Sequence, residues 1–126
     1  MKVFLVEDSA PIVARLKDLL ATVPGASVVG HAATADAAIT GIPAEQPDIV
    51  LLDLALADGT TGFDVLRALR PAMPDTGFYM LSNHSADPYR QLAERLGARG
   101  FFDKTRDIER VRELMGAKRS CLQSSC

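Results

Sequence analysis

Four short hydrophobic runs in this chain each stop at a residue that offers an oxygen or an ammonium group. Val3-Phe4-Leu5-Val6 runs into Glu7-Asp8, and Ile49-Val50-Leu51-Leu52 runs into Asp53. Phe78-Tyr79-Met80-Leu81 runs into Ser82, and Gly100-Phe101-Phe102-Asp103 runs into Lys104. Runs of this length, apolar without alternation, suit strands covered on both faces. If the strands are parallel, their carboxyl ends share one edge. That is the edge where open α/β sheets place their chemistry.

The segments between the runs read as helices. Pro11 to Leu20 repeats apolar residues at Ile12, Val13, Leu16, Leu19 and Leu20, which is helical spacing. Ser9 is placed to cap this helix, Pro11 falls in its first turn, and Pro24-Gly25 ends it. Ser27 to His31 is a weaker strand. Thr34 caps a helix through about Ile42, with Pro43 closing it. Asp58 to Gly62 is a loop, and Phe63 to Leu69 is helical until Pro71 and Pro74. Tyr89, Leu92, Ala93 and Leu96 share one face of a helix ended by Gly97. Ile108, Val111, Leu114 and Met115 mark a last helix, ended by Gly116. Five strands alternating with five helices imply right-handed βαβ units. The economical architecture is a doubly wound α/β three-layer sandwich, with the flavodoxin-like strand order 2-1-3-4-5. That order sets the first, third and fourth strands side by side and gathers Glu7, Asp8, Asp53 and Ser82.

Bulk properties exclude several classes. The 126 residues fit one domain, and 48% apolar content is ample for its core. A net charge of −2 leaves no basic footprint for nucleic acid at the level of the whole chain. No apolar run reaches the ~20 residues of a membrane helix, and the N-terminus lacks the pattern of a signal peptide, so a cytoplasmic location is expected. Cys121 and Cys126 lie in the last stretch and read as inert, reduced thiols. His31 and His84 do not suggest a metal pair. Arg106, Arg110, Arg112, Lys118 and Arg119 are interleaved with Asp107, Glu109 and Glu113, which reads as an ordinary solvated helix.

Three carboxylates in one pocket repel each other and would raise at least one pKa. A hard divalent cation such as Mg²⁺ relieves this, taking oxygen ligands and keeping waters and a phosphate oxygen. Asp8 and Asp53 are the best direct ligands, while the longer Glu7 suits a water-mediated role. Lys104 can pair with Asp53 or with a phosphoryl oxygen, and the Ser82 hydroxyl can bond another. The set matches phosphoryl transfer to a carboxylate, with Asp53 as nucleophile and an aspartyl phosphate as product.

Val6-Glu7-Asp8-Ser9, Leu51-Leu52-Asp53-Leu54, Leu81-Ser82 and Gly100-Phe101-Phe102-Asp103-Lys104, in this order and spacing, resemble the motifs of the receiver domains of two-component response regulators. The resemblance covers residues 1–117 and leaves 118–126 as a polar tail. It implies that Asp53 accepts a phosphoryl group from a histidine kinase or histidine phosphotransfer protein. It implies that Glu7, Asp8, Asp53 and the backbone carbonyl of Ala55 hold Mg²⁺. It assigns Lys104 to the phosphoryl oxygen, and Ser82 and Phe101 to a conformational switch in which the Phe101 ring turns inward. The surface of the fourth helix, fifth strand and fifth helix then changes shape for a downstream protein. Such a chain is no enzyme toward other molecules, although it assists its own phosphorylation and dephosphorylation. No direct contact with nucleic acid or membrane is implied, and a homodimer is compatible.

This sequence departs from the common pattern at several positions. Ala57 replaces a frequent proline, and the loop from Asp58 to Gly62 is one residue longer than usual. Thr105 replaces the proline that often follows the lysine, so a cis peptide is not expected there. Asn83 is bulkier than usual, and Ala55 and His84 occupy positions that tune phosphoryl lifetime. A receiver standing alone and one cut from a longer regulator would read identically. A pseudo-receiver that only binds or dimerises is the alternative, opposed by the intact acceptor set. A phosphoester hydrolase would want Asp-x-Asp where this chain has Glu7-Asp8-Ser9, and a flavin protein would want a phosphate-binding loop after the first strand.

Overall fold

The computed structural model describes residues 1–82, 87–104 and 109–115. Strands β1 (Lys2–Val6), β2 (Ser27–Ala32), β3 (Ile49–Asp53), β4 (Gly77–Ser82) and β5 (Gly100–Asp103) form one sheet in the order β2-β1-β3-β4-β5. Every pairing is parallel. Helices α1 (Ala10–Ala21), α2 (Ala35–Glu45), α3 (Gly62–Leu69) and α4 (Asp87–Arg95) connect them, and residues 109–115 form α5. This is the doubly wound architecture expected from the sequence.

The period of two along each strand divides the core. Phe4, Val6, Val50, Leu52, Phe78, Met80 and Phe101 face α2, α3 and α4, where they meet Ile42, Leu66 and Ala93. Val3, Leu5, Ile49, Leu51, Tyr79, Leu81 and Phe102 face α1 and α5, where they meet Leu16, Leu20, Val111 and Met115. Every residue of β3 and β4 is buried, which explains their unbroken apolar runs. The edge strand β2 is only partly covered, which is why its signal in the sequence was weak.

Two local expectations need correction. Pro43 does not close α2 but lies inside it. Near a helix end a proline forfeits one hydrogen bond, and the helix runs on to Gln46. That residue adopts the left-handed conformation (φ 47°), donates its N–H to the Ile42 carbonyl, and sends its side-chain amide to Pro43 O at 2.8 Å. Ser9 holds the N-cap position of α1 without a side-chain capping bond. Its N–H instead donates to Glu7 Oε1 at 3.1 Å. Tyr89 is exposed, unlike Ala93 beneath the same helix. Its phenol gives it reason to face water. Gly97, with φ 95°, follows α4 as expected. The expectations for Asn83, His84, Thr105, Arg106, Asp107, Ile108, Gly116, Lys118, Arg119, Cys121, Cys126 and the polar tail lie outside the described residues.

Register positions the site. Val6 pairs with Leu52, so Glu7 follows β1 at the level where Asp53 ends β3. Asp53 pairs with Leu81, and Ser82 with Asp103. The four sequence signals therefore emerge along one edge of the sheet.

Candidate functional site

Glu7 is held on all sides. Its N–H donates to Ala32 O at 2.9 Å, and its carbonyl lies 2.8 Å from His31 Nε2. A carbonyl only accepts, so Nε2 carries the proton in this contact. The side chain of Glu7 is 1% exposed, and its Oε2 lies 2.8 Å from Lys104 Nζ. Lys104 Nζ lies equally near Asp53 Oδ1, at 2.8 Å. The sequence allowed Lys104 a pairing with Asp53; the structure makes it a bridge between two buried carboxylates. Its own backbone is latched by an N–H bond to Ser82 O at 2.8 Å. Asp53 Oδ1 also accepts from the Ala55 N–H at 3.4 Å.

Oxygens of Glu7, Asp8 and Asp53 lie within 4.8 Å of one another, with Asp8 exposed beside two buried partners. These residues, with Ser9, Ile12, Ala55 and Lys104, line an open cleft of about 350 Å³. Glu7 Oε2 is buried without a geometrically sound hydrogen bond, despite the nearby ammonium. A buried carboxylate oxygen with bonding capacity left, in an all-oxygen donor set open to solvent, fits a hard divalent cation.

Burial is the main force on Asp53, raising its pKa from 3.8 to about 7; the Glu7 carboxylate adds to the rise, and Lys104 opposes it. Burial alone would lower the pKa of Lys104, but Asp53 and Glu7 more than offset that and raise it. Lys104 therefore stays charged, while Asp53 in the metal-free protein shares its oxygens with a proton near neutrality.

Ser82 and Phe101 stand apart from this cleft. Ser82 is 1% exposed at the end of β4 and does not line it. The ring of Phe101 is already buried, packed with Ala93 and Met80, and the Arg90 guanidinium lies 5.1 Å from its centroid.

The loop after β3 holds positions that sequence reasoning missed. A Cβ on Gly62 would fall 2.5 Å from the backbone oxygen of Asp53 and 2.9 Å from Met80 Cε. Only a glycine lets α3 start this close to the Asp53 backbone carbonyl, and a single sequence gives no sign of it. Thr61 and Asp64 form a reciprocal capping box that fixes the start of α3. The pattern Thr-x-x-Asp was a readable signal for that cap. The Thr60 hydroxyl accepts from the Ala35 N–H at 3.2 Å and so ties this loop to α2.

Comparison with known proteins decides the family. Residues 3–115 match the model of the response regulator receiver domain. The chain belongs to this family. Across 98% of its length the receiver is 35% identical to "DNA-binding transcriptional activator DevR/DosR" of Mycobacterium tuberculosis, of which the match covers 58%. Over 87% of its length it is 36% identical to "Protein-glutamate methylesterase/protein-glutamine glutaminase 1" of Carboxydothermus hydrogenoformans, covering 32% of that protein. The chain thus spans less than two thirds of these curated relatives. Among solved structures, a LuxR-family two-component response regulator from Aurantimonas sp. SI85-9A1 superposes with a TM-score of 0.85 at 27% identity, covering 92% of this chain and 82% of that one. The response regulator domain of Thermotoga maritima CheB gives 0.82 at 25% identity, covering 98% and 96%. Among the described residues of this receiver, no helix is long and apolar enough to cross a membrane.

Proposed function

We propose that this receiver is a phosphorylation-activated switch of a two-component relay, with Asp53 as the phosphoacceptor. The observation that carries this reading is the buried Lys104 ammonium, 2.8 Å from both Asp53 and Glu7, at the edge of a cleft with three carboxylates. The donor is a histidine kinase or a histidine phosphotransfer protein. An Asp53 oxygen attacks phosphorus, the phosphorus–nitrogen bond of the phosphohistidine breaks, and the imidazole leaves with the electron pair. Lys104 neutralises charge on a phosphoryl oxygen, and the Ser82 hydroxyl meets another. Glu7, Asp8, Asp53 and the Ala55 carbonyl would hold Mg²⁺, whose charge screens the carboxylates and the transferring group. Asp53 reacts as its anion, so release of its proton is part of readying the site.

Output would pass through the face formed by α4, β5 and α5 to a downstream protein, with Ser82 and Phe101 transmitting the change. The domain is a phosphoacceptor that assists its own phosphorylation and dephosphorylation, and we place it in the cytoplasm. One relative is named for DNA binding and extends beyond the match, so contact with nucleic acid is no part of what this receiver's cleft explains. Intact mass after incubation with acetyl phosphate and Mg²⁺ tests the proposal. One added phosphoryl mass, absent in Asp53→Ala, is expected. No uptake by the parent protein, with no response to beryllofluoride, would favour the pseudo-receiver; uptake surviving Asp53→Ala would move the acceptor.

A further inference from the structure

Glu7 hangs from β2 by two bonds of different kinds. Its N–H donates to the Ala32 carbonyl at 2.9 Å, which extends the ladder of β1 and β2 by one rung. A parallel ladder would next bring a β2 N–H to the Glu7 carbonyl, but β2 ends at Ala32 and the chain turns into α2. The exposed His31 side chain takes that place, with Nε2 2.8 Å from the carbonyl oxygen. An Nε2–H exists in one neutral tautomer and in the charged ring, so the bond does not hinge on the charge of the imidazole. A peptide group is planar, so a bond that fixes the Glu7 oxygen also fixes the nitrogen and Cα of Asp8. Asp8 is where this matters. Glu7 and Asp53 are buried and each meets Lys104 Nζ at 2.8 Å, whereas Asp8 is exposed. Its carboxylate is therefore aimed by the backbone rather than by packing.

We infer that His31 is a positioning residue for the acidic cleft: its ring N–H holds the Glu7–Asp8 peptide so that the Asp8 carboxylate meets those of Glu7 and Asp53, and thereby sets the affinity for the divalent cation. His31 does not line the cleft and acts through Glu7 and Asp8. This rests on the receiver reading above and adds a residue outside the motifs that carried it.

The test is Mg²⁺ titration of the full chain by calorimetry, on the parent and on His31→Leu, His31→Gln and Thr76→Val. Leucine fills the space without a donor, and a glutamine amide nitrogen reaches about as far along its side chain as imidazole Nε2. Thr76→Val removes a bond of the same kind, Thr76 Oγ1 to Pro47 O at 3.1 Å, just before β4 and at the end of that strand away from the cleft. His31→Leu should weaken Mg²⁺ binding ~10-fold, while His31→Gln stays within ~3-fold of the parent and Thr76→Val within ~2-fold. In phosphoryl uptake from acetyl phosphate, the half-saturating Mg²⁺ concentration should rise ~10-fold in His31→Leu, with the rate at saturating Mg²⁺ within ~2-fold of the parent. A loss of stability alone would not divide the two quantities in this way. The Asp8 amide nitrogen shares a peptide group with the Glu7 carbonyl, so its resonance should move in His31→Leu and hold in His31→Gln. Unchanged Mg²⁺ affinity in His31→Leu, or an equal loss in His31→Gln or Thr76→Val, would overturn the inference. Ring nitrogen shifts of the neutral imidazole in the parent should place its proton on Nε2, and a bare Nε2 would overturn the inference whatever the variants do, including a failure of His31→Leu to fold. A parent that neither binds Mg²⁺ nor takes up phosphoryl refutes the receiver reading and this inference with it; a parent that does both, with His31→Leu indifferent, refutes this inference alone.

Discussion

At the scale of residues, Asp53 and Lys104 set opposing demands. In the folded metal-free protein Asp53 holds its proton up to about pH 7, whereas the unfolded chain releases it near 3.8. The folded state therefore binds more protons between those values, and stability falls as pH rises through them. The favourable contribution is complete below 3.8 and lost above about 7. Asp53→Asn removes this loss. In metal-free buffer the variant should melt several degrees above the parent at about pH 8, with the gap closing toward about pH 4. Calorimetry at the two pH values checks the sign. Lys104→Met should act the other way, leaving Glu7 and Asp53 buried without their shared cation. A loss of ~3–5 kcal/mol is expected in urea unfolding, larger at about pH 8 than at about pH 6. A loss independent of pH would mean that packing of the lysine stem, not its charge, matters. The sequence marked Lys104 and both acids as members of one site. It could not show that one ammonium spans two carboxylates, because that follows from the latch of Lys104 N–H to Ser82 O and the depth of burial.

At the scale of elements, what was legible follows burial. Strands β3 and β4 are covered throughout, so their runs announced themselves, whereas β2 is half covered and gave only a weaker signal. Pro43 misled because a proline normally breaks helices, yet a bond from Gln46 N–H to Ile42 O closes α2 beyond it. The β3–α3 loop was the least legible part, since its demand is steric. Gly62→Ala would press a Cβ against the Asp53 carbonyl, where the obstacle is backbone and cannot rotate away. A cost of ~1–3 kcal/mol is expected in urea unfolding, together with weaker Mg²⁺ binding by titration calorimetry, because the loop must shift beneath the acceptor. Unchanged stability would show that α3 can slide without cost.

At the scale of the whole molecule, the site exists only when the fold does. Glu7, Asp53 and Lys104 come from three strand ends far apart in the chain, so an unfolded chain offers no comparable cluster. A cation held by that cluster must then stabilise the fold by mass action, ~2.7 kcal/mol at a hundredfold excess over its dissociation constant. The proton on Asp53 competes for the same oxygens. Mg²⁺ should therefore raise Tm more at about pH 8 than at about pH 6, and release protons on binding near neutrality. Asp53→Asn should lose most of the Mg²⁺-dependent rise at both pH values while melting higher in the absence of metal. These two effects of opposite sign, from one substitution, separate a cation site from general screening of an acidic patch. Screening would act through Asp8 and other exposed charges, would be reproduced by monovalent salt at equal ionic strength, and would barely notice position 53. A Tm rise matched by NaCl, or one indifferent to both pH and Asp53→Asn, would remove the cation from the cleft and with it the chemical reason for gathering three carboxylates there.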